Sequence, residues 1–281
     1  MSDGDFPAGV LGRTALGVAL VRSQESLRPD RLFDDPYAEA FLAEVPGVFE
    51  VEQRAAAAGS EDIACWGAAF WSHAVIRTRF FDDYLLAATE GGVRQVVLLA
   101  AGLDTRAFRL AWPAGVRLYE LDLPEVLAFK DRVLTERWAV ARCERTAIGV
   151  DLREDWAAPL RRAGLATSEP TAWLAEGLLI YLTAGEAAAL LTQVGALSAD
   201  GSRLAFEVEN LGTDSMRVQA RQTPTMQQYA RLWKGGLPDA PRWLAEHGWR
   251  SQVRDRAAVA AGYGRVQSEA SAGGFVVATR T

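Results

Sequence analysis

The stretch VVLLAAGLDTRAFRL, Val96 to Leu110, runs from an apolar segment into a single glycine, Gly102, with Asp104 two residues on. An apolar run that closes on glycine reads as a buried strand feeding a tight turn and then a helix. Glycine lets the backbone approach a ligand that a Cβ would exclude, and a helix N-terminus offers free N–H groups. The plainer reading is a strand-to-helix connection closed by an aspartate cap. The segment has neither the G-x-G-x-x-G of a dinucleotide site nor the lysine of a phosphate-binding loop.

Working outward, apolar strand candidates recur as QVVLLAA (95–101), VRLYELD (116–122), RTAIGVD (145–151), TAWLAEG (171–177) and RLAFEVE (203–209). Between them lie helical patterns: DTRAFRL, PEVLAFKDRVLTERW with proline in its first turn, and TAGEAAALLTQVGALS. This alternation predicts an α/β fold, a doubly wound, mostly parallel seven-stranded sheet of Rossmann-like type covered by helices on both faces. PRWLAEHGWRSQVRD followed by GGFVVATR reads as a helix and two final strands, the last inserted antiparallel. Upstream, residues 1–92 read as a helical N-terminal extension. In its long last helix, Trp66, Phe70, His73, Arg77, Phe80, Phe81 and Tyr84 recur at three- and four-residue steps until EGG stops it. The core is then 93–281, with 209–238 an irregular, polar cover.

The 281 residues are 49% hydrophobic and 23% charged, enough for one sizeable core, and the formal charge of -6 argues against a nucleic-acid partner. Cys65 and Cys143 lie far apart, in no C-x-x-C pair, so neither a disulfide framework nor a zinc site is expected. The acidic start MSDGDFPAGV is no signal peptide and no apolar run reaches membrane-spanning length, which points to a soluble, cytoplasmic protein without a membrane partner. A monomer or homodimer is expected, with nothing in these features choosing between them.

In such a sheet, ligands sit beyond the carboxyl ends of the strands. Glu120 and Asp122 close a strand about 20 residues after the first turn, where a doubly wound fold places its ribose-binding acid, and their spacing puts both on one face. Asp122, at the strand end, is the better placed; a solvated strand end or a cap for the helix at Pro124 is the alternative. Asp151 and Leu152 end the next strand, and an acid beside a hydrophobe suits an adenine ring, although the segment by itself reads first as an ordinary loop aspartate. Glu176 and Gly177 end the fourth strand; a carboxylate among so many apolar residues calls for a cation. Arg77 and Arg79 supply candidates, either gripping a ligand carboxylate in the cleft or pairing at the surface with Asp82 and Asp83.

Taken in order, GRTALGVALVRSQESLRPDRLFDDPYAEAFL (12–42), RTRFFDDYL, VVLLAAGLDTRAFRL, LYELDLPEVLAFK, GVDLREDW, AEGLLIYL, WLAEHGWR and YGR (263–265) resemble the S-adenosylmethionine-dependent methyltransferases of the leucine carboxyl methyltransferase type, over most of the chain. The resemblance implies S-adenosyl-L-methionine as cofactor. It implies Arg79, with Arg77 second, on the methionine carboxylate; Ala101, Gly102 and Asp104 at the methionine turn; Asp122 with Glu120 and Leu123 at the ribose; and Asp151 and Leu152 at the adenine. Glu176 and Gly177 line the pocket, and Arg22 corresponds to a basic residue that reaches the carboxylate in eukaryotic members. Ala100-Ala101 stands where the family often has glycine before alanine, a small steric change.

Methyl transfer from a sulfonium needs alignment and a dry site more than a nucleophile or a metal. A carboxylate acceptor needs no base, whereas a phenol gains from one. His73, one turn before Arg77, is the candidate base, with core packing the alternative; His247, near a helix end, is structural. Tyr181, Glu209, Trp66, Phe70 and Trp71 are candidates for the acceptor pocket. The aromatic, alanine-rich helices favour a small apolar acceptor, such as a bacterial secondary metabolite carrying a hydroxyl or carboxyl, over a protein C-terminal carboxylate. A nicotinamide-dependent oxidoreductase and a non-catalytic cofactor-binding module are the remaining readings.

Overall fold

The computed structural model describes residues 10–50, 54, 61–209, 220, 227–266 and 273–281. Five parallel strands, β1 (Gln95–Leu99), β2 (Arg117–Asp122), β3 (Glu144–Gly149), β4 (Thr171–Ala175) and β5 (Arg203–Glu209), are joined by β6 (Trp249–Asp255) and β7 (Gly273–Arg280) in the order β3-β2-β1-β4-β5-β7-β6. The order reverses between β1 and β4, which opens a crevice at their carboxyl ends. The last strand in sequence, β7, inserts antiparallel between β5 and β6, as its pattern predicts. Central β1 and β4 are buried at every residue, whereas edge strands β3 and β6 are mostly exposed on at least one side.

The helices are α1 (Val10–Ser26), α2 (Ala38–Ala43), α3 (Glu61–Glu90), α4 (Arg106–Arg109), α5 (Pro124–Glu136), α6 (Ala157–Arg162), α7 (Ala184–Ala196), α8 (Gln227–Ala230), α9 (Ala240–Glu246) and α10 (Arg256–Gly262) among the described residues. Local chemistry sets their ends. Gly92 at φ 100° ends α3 where an L-residue would strain. Pro124 opens α5, and Thr183 with Glu186 forms a reciprocal capping box on α7.

Two apolar layers sandwich the sheet. On one face Leu98, Leu174 and Ala205 pack with Ile76, Phe81 and Leu85 of α3, joined by Leu16 and Ala19 of α1 and Phe41 of α2. On the other, Leu99, Trp173 and Phe206 pack against Leu190, Leu191 and Leu244. The N-terminal helices therefore share the core of the sheet. No helix among the described residues is long and apolar enough to cross a membrane.

Candidate active site

At the end of β1 the chain turns through two left-handed residues, Ala100 at φ 54° and Gly102 at φ 50°. A Cβ on Gly102 would meet Ala15 of α1 at 3.8 Å, so the turn lies directly under the N-terminal helix. Asp122 spans the neighbouring strand end: its Oδ2 accepts the Gly102 amide at 2.6 Å and its Oδ1 accepts the Leu123 amide at 2.7 Å. A carboxylate has about four lone-pair sites, so two remain for ligand hydroxyls. Burial raises the Asp122 carboxyl above its ordinary range, against the two amides and Lys130, which lower it. At the end of β3, Asp151 grips Arg153, whose Nε lies 2.9 Å from its Oδ1, and Leu152 is half-buried beside it.

The end of β4 carries a buried ionic cluster. Glu176 receives Arg77 Nε at 2.9 Å on Oε1 and Arg106 Nη1 at 2.7 Å on Oε2, which supplies the cation that its apolar setting calls for. Arg106 also donates to Asp82 at 2.6 Å and pairs with Asp104, and Arg109 closes on Asp82 at 2.6 Å. Burial works against an ionised Asp104, but Arg106, then Lys130, Arg22 and Arg109, outweigh it and hold the carboxyl at about 2. Glu207, next along the sheet on β5, accepts Arg77 Nη1 at 3.0 Å and the Gly177 amide at 2.8 Å. Gly177 stands at φ 63°, and a Cβ there would press on Arg77 Nη1 at 3.4 Å. His73 is buried; burial, then Arg256 and Arg77, push its imidazole well below the ordinary range, so it is neutral.

Most of these groups, though not Asp82, Arg109, Lys130 or Arg256, line one cavity of about 1430 Å³. That exceeds the ~300–1,000 Å³ of a typical small-ligand site and leaves room for two ligands side by side. Its wall includes Arg22, His73, Arg77, Ala101, Gly102, Asp104, Asp122, Leu123, Asp151, Leu152, Glu176, Gly177 and Tyr181. Trp66, Phe70 and Trp71 also line it, with Trp66 and Phe70 stacked at 5.1 Å and 8°. Arg22 reaches in from α1, donating to the Leu103 carbonyl at 2.7 Å and facing Asp35 at 3.4 Å, with its Nε buried and unpartnered.

Two expected residues lie elsewhere. Arg79 bonds Asp83 at 3.0 Å and the Leu32 carbonyl at 2.7 Å and stands over the Tyr263 ring, because two residues along a helix turn a side chain to the opposite side. Arg77 takes the cavity position. Glu120 shares the face of Asp122 but sits one pleat deeper, fully buried and paired with Lys130 at 2.8 Å and Arg145 at 2.7 Å. The side chain of Glu209 and most of the cover at 209–238 lie outside the described residues; within that cover, Tyr229 and Trp233 line the cavity and Arg13 of α1 donates to the Tyr229 hydroxyl at 3.0 Å. His247 stacks on Trp243 at 3.8 Å, a structural role. Arg106 and Glu207 are the residues that the sequence reading misses. For Glu207 the signal was its register: Ala175 pairs with Phe206, so the residue level with Glu176 is Glu207.

A doubly wound sheet with an acid beyond each of several strand ends, and one glycine in place of a phosphate cradle, defines a Rossmann-like methyltransferase fold. The chain belongs to the leucine carboxyl methyltransferase family, whose model matches residues 15–195. A relative from Frankia alni, assigned as an S-adenosyl-L-methionine-dependent methyltransferase, is 52% identical over 98% of this chain and 96% of its own. Another with the same assignment, from Streptomyces coelicolor, is 44% identical over 98% of this chain and 96% of its own. Among solved structures, a DUF574 family protein from Streptomyces avermitilis shares the fold at a TM-score of 0.63 and 15% identity, covering 95% of this chain and 97% of that one. A protein from Thermobifida fusca assigned as a methyltransferase aligns at a TM-score of 0.59 and 15% identity, covering 86% and 92%.

Proposed function

We propose that the protein transfers a methyl group from S-adenosyl-L-methionine to an oxygen, hydroxyl or carboxyl, of a small and largely apolar molecule such as a bacterial secondary metabolite. The general activity, S-adenosylmethionine-dependent methyl transfer, follows from the family and from relatives that carry that assignment over nearly their whole length. The observation that carries the finer reading is a single cavity with acids along one wall and stacked aromatic rings along another.

The donor set fits a group built of adenosine and an amino acid. Asp122 would hold the ribose hydroxyls, with Asp151 and Leu152 at the adenine. The bare Cα of Gly102 would admit the methionine chain, Glu176 would face its amino group, and Arg77 with Arg22 would face its carboxylate. When bound, the group supplies a methyl carried on a sulfonium. This chain's own residues align the acceptor and keep water out, which is most of what an in-line displacement needs. The family's description names a leucine carboxyl, for which a protein C-terminal carboxylate would be the alternative acceptor, and the aromatic lining favours a small molecule.

Calorimetry with S-adenosylhomocysteine, with NAD as the comparison, tests the cofactor. Incubation with candidate metabolites and with peptides ending in leucine, read as a methyl mass increment, tests the acceptor. Absence of S-adenosylhomocysteine binding sinks the methyltransferase reading, and methylation of the peptides alone sinks the small-molecule one.

A further inference from the structure

Glu207 lies in the cavity wall with only 9% of its side chain exposed, beyond Glu176 and on the far side of it from Asp122 and Asp151. The sheet order β3-β2-β1-β4-β5 therefore sets a line of acids: Asp151, Asp122, Glu176 and then Glu207. The first three serve the cofactor in the reading above, and Glu207 is left at the acceptor end. We propose that the acceptor presents a protonated hydroxyl, a phenol or enol on an apolar body, and that the Glu207 carboxylate takes its proton. This rests on the O-methyltransferase reading above.

Three observations carry it. The first is charge. The groups facing Glu207 are Arg77 and His73 from α3, Glu176 and the Gly177 amide from the end of β4, Arg256 from α10, and Tyr181, which faces Arg77. Arg77 is divided between Glu176 and Glu207 and, in the reading above, also faces the cofactor carboxylate, so an acceptor carboxylate would enter as one anion more, whereas a hydroxyl enters neutral. The second is hydrogen bonding. The two bonds that Glu207 accepts leave lone pairs for a hydroxyl proton. Burial, aided by Glu176 and opposed by Arg77 and the amide, lifts its carboxyl above the ordinary range and makes it a better base.

The third is His73. Its Nδ1 is buried without a partner, and its Nε2 stands 4.0 Å from Glu207 Oε1. A buried orphan N–H is costlier than a buried lone pair, so the ring hydrogen belongs on Nε2, facing Glu207. At 4.0 Å the ring stands beyond hydrogen-bond reach and leaves the Glu207 lone pairs open, so the base is Glu207 and not His73. The step balances. A lone pair of the acceptor oxygen forms the bond to the methyl carbon, the carbon–sulfur bond breaks with its electrons left on a neutral thioether, and the hydroxyl proton passes to Glu207. A sulfonium cation and a carboxylate anion become two neutral groups, and the acid returns its proton to water as product leaves.

The test uses the full-length protein saturated with S-adenosylhomocysteine, and titrates 2-naphthol against 2-naphthoic acid by tryptophan fluorescence at pH 7.5, for wild type and Glu207→Gln. Naphthol should bind at least ~10-fold tighter than naphthoate, and E207Q should shrink that ratio several-fold by admitting the anion. Naphthoate binding as tightly as naphthol, a ratio unmoved by E207Q, or no naphthol binding overturns the proposal. For any phenol that is turned over, E207Q should cut kcat ~10²–10³-fold at pH 7, with the loss shrinking as pH rises and the phenol ionises by itself. Retained activity with a flat pH profile overturns it too. S-adenosylhomocysteine affinity, measured in both proteins so that each is titrated at saturation, reports the fold and the cofactor site separately. Its absence in wild type would instead defeat the underlying methyltransferase reading.

Discussion

Asp122→Asn is the most exacting test of the cofactor site, because the substitution keeps size and removes one property. The carboxylate now accepts two backbone amides, from Gly102 at 2.6 Å and Leu123 at 2.7 Å. An asparagine can accept only one of them, and its NH₂ group must face the other amide, donor against donor. One charge-assisted hydrogen bond, worth ~1.5–3 kcal/mol, is lost, and an amide is left unpaired in a largely buried site, so the cost to stability is about 2–4 kcal/mol. At ~2.1 cal/mol/K per residue this chain unfolds with an entropy near 0.6 kcal/mol/K, so Tm should fall by about 3–7 °C. In the bound state, two ribose hydroxyls exchange a charged acceptor for a neutral one, at about 1 kcal/mol each or slightly more, and S-adenosylhomocysteine should bind ~30- to 150-fold more weakly. Differential scanning calorimetry and isothermal titration at 15–20 °C, where the variant stays folded, give both numbers. A folded variant that binds S-adenosylhomocysteine within threefold of wild type would refute the assignment of Asp122 to the ribose.

Three further outcomes are expected. Ala100→Gly relieves the left-handed backbone at φ 54°, worth ~1–2 kcal/mol less the ~0.5–1 kcal/mol that glycine loses in freedom, so Tm should rise by about 1–2 °C with binding unchanged; a lower Tm contradicts it. Arg77→Ala should weaken S-adenosylhomocysteine at least ~10-fold, while Arg79→Ala, whose partners lie outside the cavity, should leave titration curves within threefold. Asp104, held at about 2 against an ordinary 3.8 by Arg106 and its neighbours in spite of burial, stabilises the fold fully above pH 4 and loses that contribution, about 2 kcal/mol, as pH falls through 2. Acid unfolding followed by circular dichroism should therefore be shallower between pH 4 and pH 2 in Asp104→Asn, and an unchanged slope would count against the pairing.

What sequence could and could not deliver follows from periodicity. A strand's two-residue repeat and an end marked by glycine or acid locate Gly102, Asp122, Asp151 and Glu176 without coordinates. The same repeat says nothing of depth, so Glu120 looks equivalent to Asp122 until the pleat carries it below the rim. Helical phase would have chosen between Arg77 and Arg79, since His73 and Arg77 lie one turn apart on one face and Arg79 falls in with Asp83. Glu207 stayed hidden because the strand pattern runs on to Glu209, and only the pairing of Ala175 with Phe206 shows which glutamate is level with the site. Arg106, the first residue of a short helix, gives no sign in one dimension that it joins Asp82, Asp104 and Glu176.

That network also accounts for the shortage of glycine in VVLLAAGLDTRAFRL. A pyrophosphate site fixes its ligand with a row of backbone amides, which demands glycine after glycine for clearance. Here the Gly102 amide is already committed to Asp122, and the fixed charges come from side chains: Arg106 ties α3, the turn and the end of β4 through three carboxylates. Guanidinium groups buried among so many acids are costly to assemble but, once every partner is present, hold their geometry tightly. The N-terminal helices complete the arrangement, since Arg22 bonds the Leu103 carbonyl and Asp35 receives the Thr105 hydroxyl at 2.7 Å. A ligand without phosphate needs a shaped slot with charges at known places, and one glycine with a braced ionic cluster supplies it.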